Sequence, residues 1–250
     1  MEIPNAKPEQ TCCPIVELRQ YTLHPGKRHV LIDLFDREFI EPQEALGMKI
    51  IGQFRDVEDR NRFVWLRGFR DMASRARALQ DFYGGPVWKA HRDAANATIV
   101  DSDNVLLLRP AAPASEFSLE NKERSRTGPN EIRKELMVAT IYYFDAPVQV
   151  SFVEFFESTL KPALTDSGAS VLAYFVTGNS ENTFPALPVR ESENVFVSFS
   201  HFNDEAAYEL QVAALARSQR WRGKISEELK RLLKRAPEIV KLSPTARSLL

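Results

Sequence analysis

"FVWLRGFRD", residues 63–71, and "FVSFSHFND", residues 196–204, are two versions of one phrase. An offset of 133 carries Phe63 to Phe196 and Val64 to Val197. The same offset pairs Phe69 with Phe202, Asp71 with Asp204, Ala73 with Ala206 and Trp88 with Trp221. Each phrase reads as an alternating strand that ends in an aspartate placed to cap a helix. Self-similarity at a fixed offset, with the same order of elements around it, is the mark of a duplicated unit.

Working outward from the first phrase, "IVELRQYTL" (15–23) alternates like a strand and is broken by His24-Pro25-Gly26. Residues 27–45 place Val30, Leu31, Leu34, Phe35 and Phe39 at helical spacing, and Gly47 supplies the left-handed stop. "MKIIGQF" (48–54) and "FVWLRGF" (63–69) form a hairpin across a polar turn. A helix follows from Asp71 to about Phe82, restarts near Trp88, and "NVLLLRP" (104–110) closes the unit as a strand. Around the second phrase the order is the same: strand 135–144, helix 148–166, strands 171–177 and 194–200, helix 203–217 with a restart near Trp221, and strand 238–244. The second copy carries extra residues in one loop, 178–193. The stretch between copies is rich in Ala, Pro, Ser and charge and reads as a linker. The expected organisation is a first repeat over 14–110, a linker over 111–131 and a second repeat over 132–246.

Strand, helix, strand, strand, helix, strand is the ferredoxin-like order. It leaves one sheet face bare, and a second such sheet is a natural cover. The predicted fold class is therefore α+β: two tandem ferredoxin-like (βαββαβ) repeats closing one pseudo-dimeric α/β barrel within a chain. The opening "VELRQYTLHPGK" (16–27), the helix with Trp88 and "NVLLLRP" resemble the NIPSNAP family of the dimeric α/β-barrel superfamily. "NTFPALPVRESENVFVSFSHF" (182–202) is similar to tandem bacterial members, whereas "MVATIYYF" (137–144) departs from the family's first strand. The resemblance implies a barrel and leaves the reaction undefined.

Strand alternation sorts the side chains into two sets. Val16, Leu18, Val64, Leu66, Val197 and Phe199 are expected to face the helices. Glu17, Arg19, Tyr21, Trp65 and Arg67 are expected in the barrel interior, opposite Tyr142, Ser198 and Ser200. Arg19 and Arg67 would hold an anionic or carbonyl group there, Trp65 would stack on a flat ligand, and Glu17 or Tyr21 would move protons. Equally, Glu17 between the two arginines could form a satisfied ionic plug in a filled barrel. Two functions follow: small-molecule binding, with or without catalysis, in the barrel, or a non-enzymatic interaction module acting through its outer surface or the 178–193 loop.

No cofactor is expected. Haem-binding relatives in the superfamily make His91 the candidate ligand should haem bind, while His24 and His29 read as surface residues and His201 as a core or rim residue facing the helices. Trp88 and Trp221 read as packing at a helix break. The adjacent Cys12 and Cys13 read as free thiols, with no zinc-ligand spacing. Net charge is −1, and Glu227 and Glu228 interrupt the basic run 217–235, so nucleic acid is not an expected partner. No apolar run nears the ~18 residues of a membrane span. No import signal is visible at the N-terminus, so a cytosolic location is expected, as a monomer or homodimer. Phosphate-loop, nucleophile-elbow, H-E-x-x-H and EF-hand patterns are missing.

Overall fold

In the computed structural model, which describes residues 13–126 and 133–250, eight strands close one barrel in the order β1-β3-β2-β8-β5-β7-β6-β4. The first repeat contributes β1 (Ile15–Leu23), β2 (Lys49–Asp56), β3 (Arg62–Phe69) and β4 (Ile99–Pro110). The second contributes β5 (Leu136–Phe144), β6 (Ser170–Thr177), β7 (Asn194–Phe202) and β8 (Glu238–Pro244). All neighbouring strands are antiparallel. Within each repeat the ladders are long, as where Ile15 to Thr22 pair with Phe69 to Arg62. The two seams between repeats are short: Phe54, Arg55 and Asp56 meet Pro244, Ser243 and Leu242, and Leu108, Arg109 and Pro110 meet Thr177, Val176 and Phe175.

The helices lie outside the barrel. The first sheet is covered by α1 (Arg28–Glu38), α2 (Ile40–Ala45), α3 (Met72–Gly84) and α4 (Pro86–Asn96). The single helix expected over 27–45 is thus two helices meeting at Phe39. The second sheet is covered by α5 (Val150–Phe155), α6 (Lys161–Asp166), α7 (Glu205–Arg217) and α8 (Ser226–Leu232). A π-helical turn, Phe156–Leu160, joins α5 to α6. Pro162 follows two residues after it; a proline has no N–H for the helical ladder, and an irregular turn absorbs the gap. A second π-helical turn, Trp221–Ile225, is the restart expected near Trp221. Asp71 and Asp204 cap α3 and α7 in the same way, accepting from the N–H of Ser74 at 2.6 Å and of Ala207 at 2.8 Å.

The barrel interior is lined almost wholly by apolar side chains, buried Gln20 excepted, and this reverses the expected faces. Val16, Leu18, Val64, Leu66, Val197 and Phe199 share one core cluster that spans both repeats, with Phe54, Phe175 and Leu242. The polar set on alternate positions points outward, under the helices. The physical reason is that the space between two facing sheets receives no polar group from any helix, so only apolar side chains are satisfied there. The helix-covered face can supply partners to charged groups. The barrel interior is therefore filled by apolar side chains and is neither an ionic plug nor the polar pocket expected.

Described residues of the 111–126 stretch do more than tether. Phe117, 5% exposed, enters the barrel core against Phe175 and Phe199 with ring centroids 5.3 and 5.0 Å away. Arg124 donates to the backbone carbonyls of Ile50 and Arg247, so it ties this stretch to the segment after β8. Cys13 is buried and disulfide-bonded, which corrects the reading of two free thiols; Cys12 and residues 127–132 lie outside the described residues. Among the described residues, no helix is long and apolar enough to cross a membrane.

Candidate functional site

Two layers, one per repeat, lie between sheet and helices, and they are built from the same template. In the first layer, Glu17, Arg19 and Arg67 come together as expected, but a helix adds the residue that completes them. Arg75 on α3 donates from Nε to Glu17 Oε1 at 2.6 Å. Arg19 Nη1 and Arg67 Nε donate to Glu17 Oε2 at 2.8 and 2.7 Å. All four side chains are 0% exposed. Burial works against a charged Glu17, yet Arg67, Arg19 and Arg75 outweigh it and hold the carboxyl far below the ordinary range. Three guanidiniums around one carboxylate leave two positive charges in surplus. Aromatic faces and neutral acceptors take up the surplus. Arg19 and Arg67 lie 5.6 and 5.0 Å from the Trp65 ring, and Arg67 donates to Gln43 Oε1 at 3.2 Å. Arg75 Nη1 donates to Asn182 Oδ1 at 3.0 Å and to Thr183 Oγ1 at 3.2 Å.

Asn182 and Thr183 belong to the second repeat's long loop. That loop crosses to the first repeat and covers its layer. Phe184 stacks on Tyr83 at 5.9 Å, and Phe184 and Leu187 pack against the first repeat's core. No sequence signal links the loop to Arg75, because the contact joins residues more than a hundred positions apart.

The second layer carries different residues at the matching places. Glu17, Arg19 and Tyr21 correspond to Val138, Thr140 and Tyr142, and Trp65 and Arg67 to Ser198 and Ser200. Four bulky or charged side chains give way to small ones, and Tyr142, Ser198 and Ser200 stand far from the first cluster, against their own helices. The volume given up is a cavity of about 700 Å³. Its floor is Val138, Thr140, Tyr142 and Ser200; its helical wall includes Gln211, Leu215, Trp221 and Leu229; Lys230, Lys234 and Arg235 stand at its rim. Burial raises the Tyr142 hydroxyl to about 12, with a hydrogen bond to Ser198 acting in the other direction, so it stays a neutral donor at physiological pH. Trp221 therefore borders a cavity and does not simply fill a joint. Trp88 does pack, 4.9 Å from Tyr83 and 5.7 Å from Phe39, and also lines a smaller chamber in the first layer.

The histidines stand apart from both cavities. His91 Nε2 faces Glu38 Oε2 at 3.4 Å, and the residue lines neither cavity, so its place does not fit a haem ligand. His201, one residue before the end of β7, lies on the barrel side at the rim near Glu135, where burial lowers its pKa. Its expected direction toward the helices is corrected along with the rest of its set. Among the described residues, no three His, Cys, Asp or Glu side chains group as a metal site would.

Comparison with known proteins agrees with this architecture. No curated protein matches the chain. The "putative monooxygenase" of Lactobacillus acidophilus NCFM superposes with a TM-score of 0.54 at 15% identity, over 94% of this chain and 97% of that one. An anthrone oxidase-like protein superposes at 0.53 with 13% identity, over 94% of each chain. At these identities the likeness is one of fold. A NIPSNAP-like domain protein from Burkholderia xenovorans is 28% identical over 42% of this chain and 90% of its own, with a TM-score of 0.38. Residues 16–114, the stretch of the first repeat, match the NIPSNAP family model.

Proposed function

We propose that the chain binds a small, largely apolar organic molecule in the second repeat's layer, with the repeats spanning 14–110 and 132–246 and joined by 111–131. The observation that carries this is the hollowing of one layer of a duplicated template. A cavity of about 700 Å³ opens where the first repeat holds its ionic cluster, within the size range of small-molecule pockets. The apolar wall supplies the affinity. Tyr142 and Ser200, with Thr140 beside them, offer hydroxyls to a carbonyl or hydroxyl on the ligand, and Ser198 steadies Tyr142. In this reading Glu17, Arg19 and Arg67 stiffen the first repeat and do not touch this ligand.

Nile red, a neutral apolar dye, tests the cavity by its fluorescence gain on binding. Ser200→Phe and Leu215→Trp refill the layer and should each weaken dye binding at least tenfold, with the circular dichroism of the parent retained. Dye binding equal to the parent in both variants would place the site elsewhere.

A further inference from the structure

The first layer is not wholly filled. A chamber of about 340 Å³ remains between the charged cluster and the helices. Phe39, Phe82, Tyr83, Trp88 and Phe184 surround it, and Tyr21 and Trp65 form its sheet side. We propose that this chamber is a second binding site, for a flat one- or two-ring aromatic anion such as an aromatic carboxylate.

The charge argument comes first. Arg19, Arg67 and Arg75 share one carboxylate, so the layer holds two surplus positive charges with no further acid in contact among the described residues. Nη2 of each of these arginines has no acceptor among the described residues. Buried surplus charge is costly, and an anion brought next to it is attracted through a low-dielectric medium. The guanidiniums of Arg67 and Arg19 lie 5.0 and 5.6 Å from the Trp65 ring, immediately behind the chamber's wall.

The donors come second. Tyr21 Oη accepts from Arg19 Nε at 3.1 Å, which leaves its own proton to be given elsewhere. Trp65 Nε1 is a donor on a side chain 2% exposed, and it has no acceptor among the described residues. A buried donor without a partner is unusual in a folded protein and calls for an acceptor. Gln43 is held elsewhere, its Nε2 donating to the Phe39 carbonyl and its Oε1 accepting from Arg67, and it does not meet Trp65 Nε1. An anionic oxygen entering the chamber would satisfy these donors and lie against the surplus charge. A cation would meet repulsion.

The wall and cover come third. The wall is aromatic on several sides, with Phe82 edge to face with Tyr83 at 5.1 Å, Tyr83 edge to face with Trp88 at 4.9 Å and Phe184 stacked on Tyr83, which suits a flat aromatic guest. Phe184 closes the chamber from the crossing loop, and that loop hangs on Arg75 through Asn182 and Thr183.

Isothermal titration of the full chain with 1-naphthoate, 1-naphthalenemethanol and 1-naphthylmethylamine tests the proposal, because the three differ mainly in charge. Compared in the Ser200→Phe background, where the other cavity is filled, naphthoate should bind at least tenfold tighter than the alcohol or the amine. Ser200→Phe, which fills the other cavity, should leave naphthoate affinity within twofold of the parent. Trp65→Phe keeps an aromatic face but removes the indole N–H, and should weaken naphthoate at least tenfold, the effect of one lost hydrogen bond to a charged group. Phe184→Ala, which leaves the sheet untouched, should weaken it at least threefold. Failure of naphthoate to bind, equal binding of the alcohol, or loss in Ser200→Phe with retention in Trp65→Phe would each overturn the assignment. The last result would place the anion in the second repeat.

Discussion

Glu17→Gln is the most demanding test of the first layer. The carboxylate receives three charge-assisted bonds of 2.6 to 2.8 Å and is wholly buried with all three arginines. Glutamine keeps the shape and removes the charge, so three guanidiniums remain in the interior without a counterion. Breaking a buried pair by removing one partner costs about 3–5 kcal/mol. For a chain of this size that is a fall in melting temperature of roughly 6–20 °C, at about 2–4 °C per kcal/mol. The pH dependence gives a second, independent check. Burial would raise the Glu17 pKa, but Arg67, Arg19 and Arg75 depress it well below its ordinary value of 4.5. A depressed folded pKa contributes stability that is fully present above the unfolded value and drains away as pH falls below it. Below about pH 4.5 this one group should steepen the loss by up to about 1.4 kcal/mol per pH unit. Urea unfolding from pH 7 to pH 3 measures both effects, and the parent curve should be the steeper at the acid end. A Glu17→Gln chain within 1 kcal/mol of the parent at pH 7, or with the same acid slope, would refute the view that this carboxylate holds the cluster together.

Phe117→Ala should cost about 3–5 kcal/mol by emptying a buried ring site at the end of the barrel, read by urea denaturation. A loss under 1 kcal/mol would make residues 111–126 a passive tether after all. Gly68→Ala should destabilise by about 1–3 kcal/mol, since its new Cβ would stand 2.4 Å from Cys13 Cβ and 2.5 Å from its sulfur. Mass spectrometry under native conditions would show whether the Cys13 disulfide survives that change. Asp204→Ala removes the acceptor that caps α7 and should cost about 1 kcal/mol, read as a shifted unfolding midpoint with an unchanged slope.

The duplication, the element order and the barrel are readable from the sequence because each rests on local periodicity and on the matching phrases at 63–71 and 196–204. The faces are not. Glu17, Arg19 and Arg67 alternate with apolar residues as a solvated or cavity-facing set would. What reverses the assignment is Arg75, which lies on a helix 58 positions from Glu17 and turns a costly charged row into a satisfied one. Nothing in the strand's own pattern marks that helix residue. The site was half legible for a related reason. Setting the matching strands side by side identifies Tyr142, Ser198 and Ser200 as the counterparts of the charged set. That small residues there leave a cavity, and that the 178–193 loop crosses to cover the opposite repeat's layer, depends on packing between distant segments.

The pairing of one filled layer with one hollow layer has a consequence for how such a barrel can evolve. Two identical chains closing the same barrel must place any substitution in both halves at once, so hollowing one would hollow the other and the stability lost would be doubled. Joining the halves in a single chain removes that symmetry. One half can keep its ionic lock as ballast while the other drifts in size and polarity, and selection can reshape the open layer without undermining the closed one.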